Sequence, residues 1–283
     1  MVRIITDSAA DFEPQELARL QIACIPLTVS FGDRDYQENI TLTKDRFYEL
    51  LQSADAPPKT AQPSPQLLLD LFEAAKNAGD EALYICLSSA LSGTYQGALI
   101  TQSLAESDLC SVVDSRNATG GQRQIVEYAV RLRDAGKTAG EIADALTDLR
   151  QRIALFACID TLEYLYKGGR ISHATYKLGT LANIKPIISV EADGHIAVPA
   201  KAMGMRKGMD FLCKKAGETP PDPDFPLYVM YTSDRSVADT LARRLEASGI
   251  PVSPERIIQV GAGIGSHIGP NACGIVYVKK AGS

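Results

Sequence analysis

No paired cysteine motif, no long apolar run and no excess of basic charge occurs in this chain of 283 residues. Its six cysteines (Cys24, Cys86, Cys110, Cys158, Cys213 and Cys273) include no C-x-x-C, so a zinc site or a thioredoxin-like couple lacks its spacing. Most lie within apolar runs such as Leu83–Leu87 and Ala154–Ile159, where cysteine behaves as a small buried hydrophobe. Free buried thiols suit a reducing compartment. The first apolar stretch, Val2–Thr6, is too short for the h-region of a signal peptide, and no run approaches the length of a membrane span. The chain therefore reads as a cytoplasmic one that would carry any lipid it handles away from the membrane. Lysine and arginine number 29 against 34 aspartates and glutamates, a formal charge of −5 that argues against nucleic acid as a partner. The G-x-S-x-G elbow of the α/β hydrolases is absent, and only His173, His195 and His267 are available as a histidine base.

What is present is alternation. Short β-rich runs at Arg3–Thr6, Leu83–Leu87, Ser111–Asp114 and Ala154–Cys158 alternate with helical patterns at Pro14–Leu20, Pro65–Ala78, Gly93–Ser107, Gly121–Gly136 and Ala139–Arg152. Cys24–Phe31 and Tyr36–Thr41 read as strands joined through Gly32-Asp33-Arg34, Lys44–Gln52 as a helix, and Ser64 as the N-cap of Pro65–Ala78. Strand followed by helix predicts an α/β protein whose first half is a Rossmann-like, largely parallel sheet covered on both faces. In such sheets ligands bind beyond the carboxyl ends of the strands. The second half reads differently. Thr161–Tyr166, Thr175–Ala182 and Arg206–Ala216 look helical, Lys185–Glu191 and His195–Lys201 form a hairpin about Ala192-Asp193-Gly194, and Leu227 to Val278 supplies strand, helix, strand and strand. The boundary is expected near Asp160, giving domains over residues 1–160 and 161–283.

Polar residues gather where strands end. Between Ser88 and Thr94, hydroxyls and unpaired backbone N–H groups meet at a helix N-terminus, which favours an anion, and Gly93 lets a ligand approach the backbone. Helix capping explains one such hydroxyl, and both readings stay open. Ser92 with His267 is the candidate pair for an acyl hydrolase. Gly261–Pro270 invites a nucleotide reading, but Ser266 stands where G-x-G-x-x-G needs glycine and no Lys-Ser or Lys-Thr follows; the segment reads as a tight turn that places His267 among small residues. Lys167-Gly-Gly-Arg170 is either a glycine-capped helix end or a cationic turn in which Arg170 binds a carboxylate or phosphate; Arg206 and Lys207 add positive charge. Asp7 and Asp114 are isolated carboxylates, weak as metal ligands, and no metal site is expected.

Seven segments, in order along the whole chain, resemble the DegV family of fatty-acid-binding proteins: Thr6-Asp-Ser8, Thr60-Ala-Gln-Pro-Ser64, Leu91-Ser-Gly-Thr-Tyr-Gln96, Asp114-Ser115 with Gly120-Gly-Gln122, Lys167-Gly-Gly-Arg-Ile-Ser172, Ile184-Lys-Pro-Ile187 and Gly265-Ser-His-Ile-Gly-Pro270. The resemblance implies a Rossmann-like N-terminal domain, a smaller α/β C-terminal domain and a fatty acid enclosed between or within them. It implies that Thr60 and Ser92, with Gly93, Thr94 and His267 beside them, hold the carboxylate. It further implies a non-enzymatic subunit that presents its acyl chain to a separate fatty-acid kinase, with Arg170, Arg206 and His267 assisting presentation. No cofactor is implied beyond the bound lipid; a monomer with transient membrane contact is expected. One departure stands out: Ala61 replaces the serine of the family's T-S-Q-P-S, removing a hydroxyl near the head group. The energetics suit a carrier. Burying about sixteen carbons at roughly 0.8 kcal/mol per CH₂ contributes on the order of 12 kcal/mol before costs. A neutral hydrogen bond nets about 1 kcal/mol. The tail should therefore dominate affinity while the hydroxyls orient the head group.

Overall fold

In the computed structural model, which describes residues 1–177 and 183–282, the first half of the chain runs β1 (Val2–Asp7), α1 (Pro14–Leu20), β2 (Ile22–Ile25), β3 (Thr28–Phe31), β4 (Arg34–Gln37), α2 (Lys44–Ser53), β5 (Lys59–Ala61), α3 (Pro65–Ala78), β6 (Glu81–Cys86), α4 (Thr94–Ala105), β7 (Cys110–Asp114), α5 (Thr119–Asp134) and α6 (Ala139–Leu149). Four strands form a wholly parallel sheet in the order β2-β1-β6-β7. Both faces are covered, which is why these strands are continuous apolar runs rather than alternating ones. Ile5 and Tyr84 pack under Leu68 and Phe72 of α3 and Ala98 of α4. Their neighbours Ile4 and Leu83 point the other way, into Ile125 of α5 and Ile142 and Leu146 of α6. Ser64 occupies the N-cap position of α3 as expected, but its hydroxyl makes no capping hydrogen bond.

The run expected as one strand over Cys24–Phe31 is two, in different sheets. Pro26 has no N–H to give a ladder, so β2 ends at Ile25 and β3 starts a small antiparallel sheet, β4-β3-β5. The β3–β4 hairpin turns through Gly32 at φ 58°. β5 is too short to signal itself in the sequence.

The second half continues with β8 (Ile153–Cys158), α7 (Glu163–Lys167), α8 (His173–Lys177), β9 (Ile184–Val190), β10 (Ile196–Met203), α9 (Gly204–Glu218), β11 (Tyr228–Tyr231), α10 (Arg235–Ala247), β12 (Ile257–Gln259), α11 (Ala262–Ile268) and β13 (Cys273–Val278). Its mixed sheet has the order β10-β9-β8-β13-β11-β12. The Ala154–Cys158 strand, counted with the first domain in the sequence, belongs here: β8 pairs antiparallel with β13 and β9, so the chain changes sheets before Ile153, not at Asp160. Sheet membership is a long-range property that an apolar run does not announce. The hairpin over residues 184–203 forms as expected, with Gly194 at φ 87° in its turn. Of the helix expected over Thr175–Ala182, residues 178–182 lie outside the described residues, and His173–Lys177 is helical. α9 and α10 cover one face of this sheet through Leu212, Leu241 and Leu245.

α5 joins the halves. Its apolar side packs on the first sheet, while Leu155, Met230 and Val276 of the second sheet join the same core. A Cβ on Gly120 would stand 2.6 Å from Val276 Cγ1, so the start of α5 fits between the sheets because position 120 has no side chain.

Candidate functional site

Beyond the carboxyl ends of the parallel strands, between the two sheets, lies a cavity of about 240 Å³. Leu27, Leu91, Leu155, Ile188, Ile264 and Ile268 are among its many apolar lining residues. Thr60, Gln62, Ser92, Gly93, Arg170 and His267 meet at one end, while Thr119, Tyr231 and Thr232 add polar groups elsewhere in the lining.

Thr60 sits in β5, registered against Val29. Its Oγ1 lies 2.9 Å from His267 Nε2, a contact between residues 207 apart in the sequence. His267 occupies the last turn of α11, a helix where the sequence suggested a tight turn. The glycines there have a different cause. The buried carboxylate of Asp11 accepts from Gly261 N–H at 2.8 Å, and that of Glu38 from Gly263 N–H at 3.0 Å. The two carboxylates cap the helix and occupy the space where a Cβ on Gly261 would stand, while Leu27 Cδ1 fills that of Gly263. Ser8 donates to Glu38 at 2.6 Å, and Thr119 donates to Asp11. Burial raises both acids, opposed for Asp11 by Lys44 and reinforced for Glu38 by the charge of Asp11; Asp11 is pushed up to about 6 and Glu38 to about 7.

The other face of His267 rests on the Lys167–Arg170 turn. A Cβ on Gly168 would collide with His267 Nδ1, so this glycine admits the imidazole, while Gly169 takes the left-handed conformation at φ 75° that reverses the chain. Arg170 folds back, donating to Leu91 O at 3.0 Å and Gly168 O at 2.5 Å. It forms no ion pair with a carboxylate among the described residues, and burial alone lowers its pKa. Burial, then the Arg170 charge, hold His267 near pKa 4, so the ring is neutral at physiological pH. Nδ1 is buried without a hydrogen-bond partner. The tautomer protonated at Nε2 leaves an unfilled acceptor there rather than a stranded N–H, the less costly arrangement. Nε2–H then donates to Thr60, whose own proton is directed onward.

Ser92 and Gly93 stand where β6 passes into α4. Ser92 Oγ lies 2.8 Å from Thr94 Oγ1 and accepts from Thr94 N–H at 3.3 Å. Thr94 is buried and does not line the cavity; it braces Ser92 from behind. Asp7 and Asp114 are braces too. Asp7 accepts from Leu87 N–H and Gln122, and Asp114 from Ser89 and from Arg116 N–H. Ser88 donates 3.0 Å to Gly194 O, tying the β6–α4 loop to the tip of the β9–β10 hairpin. Arg206, expected to assist presentation, is exposed near the start of α9 and is not among the residues that line the cavity. Ser92 and His267 share the cavity, but each hydroxyl–ring pairing is otherwise taken: Thr94 partners Ser92 and Thr60 partners His267. The sequence did not single out Gln62, whose side chain lies over Gly93 and Gly97, nor Asp11, Glu38 and Met230. Only the Gly-Ala-Gly at 261–263 hinted that something approaches the backbone closely.

Fold and site define a class: an α/β protein enclosing an apolar cavity with hydroxyls, a neutral imidazole and a guanidinium at one end. The chain belongs to the DegV family, described as an uncharacterised protein family, whose model matches residues 1–280. A DegV domain-containing protein of Caldanaerobacter subterraneus subsp. tengcongensis is 30% identical over 280 residues, covering 99% of both chains. A DegV family protein from Thermus thermophilus, solved for its fatty acid binding, superposes with a TM-score of 0.88 at 28% identity, covering 98% of this chain and 99% of that one. DegV of Bacillus subtilis, a fatty acid binding protein, is 26% identical with a TM-score of 0.84 over 99% of each chain. No helix among the described residues is long and apolar enough to cross a membrane.

Proposed function

We propose that this protein binds one long-chain fatty acid with its tail in the cavity, and presents the carboxylate to a separate ATP-dependent kinase that converts it to an acyl phosphate. The observation that supports this most directly is the make-up of the cavity: a mostly apolar lining, with Thr60, Ser92, Arg170 and His267 together at one end. A water needs roughly 10–15 Å³ of such space, so 240 Å³ accommodates on the order of twenty groups of water or methylene size. That suits an acyl chain of about sixteen to eighteen carbons. In this reading His267 donates to Thr60 and Thr94 to Ser92, so each hydroxyl turns its proton toward the carboxylate. Arg170, which has no carboxylate partner among the described residues, supplies the compensating charge. The rim beside them, formed by Ala61, Gln62 and Gly93, is exposed, which leaves the head group within reach of a second protein. Ala61 puts a methyl on that rim where the family serine would put a hydroxyl, leaving water to complete the carboxylate's hydrogen bonds there.

An acyl-hydrolase reading on Ser92 and His267 is the weaker one. His267 spends Nε2 on Thr60, and no carboxylate orients Nδ1 among the described residues, so the nucleophile–base–orienter geometry is missing. Mass spectrometry of gently purified protein, native and after solvent extraction, tests the proposal. One co-purifying fatty acid per chain is expected. A protein that is empty and also refuses added fatty acids overturns it. Covalent labelling of Ser92 by a serine-reactive phosphonate would instead favour the hydrolase.

A further inference from the structure

We infer that Met230 sets the length of acyl chain the protein accepts. This rests on the fatty-acid reading above and adds to it the residue at the far end of the tail. The second sheet's register lays four residues side by side across the cavity floor: Ile188 pairs with Ala157, Ala157 with Gly274, and Gly274 with Met230. All four line the cavity. Three strand spacings separate the outer two, about 14 Å. The row therefore reads large, small, absent, large: a trough over Ala157 and Gly274, walled by Ile188 and Met230.

Met230 closes the end remote from the head group. Asp11 binds both Gly261, at the start of α11, and Thr119. Thr119 Oγ1 in turn lies 3.6 Å from Met230 Sδ. Met230 is thus beside the beginning of α11, and His267 is in its last turn. The sulfur is hemmed in by the start of α5, since a Cβ on Gly120 would stand 3.1 Å from Sδ. The terminal methyl leans over the trough: a Cβ on Gly274 would stand 3.1 Å from Met230 Cε. Gly274 has no freedom to change, because the same Cβ would meet Phe156 O at 2.8 Å. Met230 is adjustable where Gly274 is not: an unbranched thioether with three rotatable bonds, 3% exposed, whose polar contact is that with Thr119.

The test loads delipidated protein with an equimolar set of straight saturated acids from lauric to arachidic, then extracts and quantifies what is retained. Met230→Ala removes the three heavy atoms beyond Cβ and should move the preferred acid about two carbons longer. Met230→Leu, which reaches one atom less than methionine, should move it about one carbon in the same direction. Met230→Phe should move it shorter. If the alanine variant does not fold, the leucine variant decides alone. Folded variants that retain near one equivalent with the wild-type profile overturn the inference. Wild-type protein that retains none of the acids overturns the fatty-acid reading itself, and the inference with it.

Discussion

Replacing Thr60 with valine keeps the size and β-branching of the side chain, so β5 and its register against Val29 should persist. What disappears is one hydroxyl standing between His267 Nε2 and the proposed carboxylate. One cost follows on binding: a lost hydrogen bond to a charged group, since the imidazole N–H left facing a methyl is stranded in the free variant as well. That amounts to roughly 1.5–3 kcal/mol, about tenfold to a hundredfold in Kd. Tail burial of order 12 kcal/mol is untouched, so the variant should still bind. Displacement of a fluorescent fatty acid, or calorimetry on delipidated protein, measures the difference. The fatty alcohol of the same length supplies the control. It keeps the tail and lacks the anion, so the Thr60→Val penalty should shrink with it. An identical penalty for acid and alcohol would show that Thr60 does not act on the carboxylate. A variant that cannot retain the acid at all would show that the head group, not the tail, dominates affinity.

Arg170→Ala should leave lipid retention near wild type, because the tail supplies most of the affinity, yet reduce acyl-phosphate formation with a partner kinase, trapped as the hydroxamate; loss of the lipid itself would contradict the assignment. Gly168→Ala should push His267 off Thr60 and weaken binding, and because Thr60→Val breaks the same link, the double variant should be little worse than either single one. Glu38 holds its proton up to about pH 7, whereas the unfolded chain releases it near the ordinary 4.5, so its contribution to stability declines as pH rises through that window. In urea unfolding the advantage of wild type over Glu38→Gln should therefore shrink between about pH 4.5 and 7; a constant difference would count against the raised pKa that burial, reinforced by Asp11, gives Glu38. His267 acts in the opposite sense: with its folded pKa near 4, its contribution is complete above about 6.5 and is lost as pH falls toward 4, a slope that His267→Asn should remove.

Much was legible in local pattern. The strand–helix alternation of the first half follows from periodicity, the 184–203 hairpin from its Asp-Gly turn, and the Ser88–Thr94 loop from hydroxyls placed at a helix start. Thr60, Ser92, Gly93, Arg170 and His267, each named from a short segment, all line one cavity. Thr94, named beside Ser92 and Gly93, faces Ser92 rather than the cavity, a direction that sequence adjacency does not fix.

The sequence by itself determined these elements and the chemical kinds available at their ends, because backbone preference and amphipathic period are properties of a few consecutive residues. Only the tertiary structure decided that β8 crosses into the second sheet and that Ala262–Ile268 winds into a helix capped by Asp11 and Glu38. It also decided that Thr60 meets His267 and that Met230 leans over Gly274. Each of these depends on strand order and register between distant segments, fixed by which surfaces bury one another, and a window of neighbouring residues contains no record of that choice.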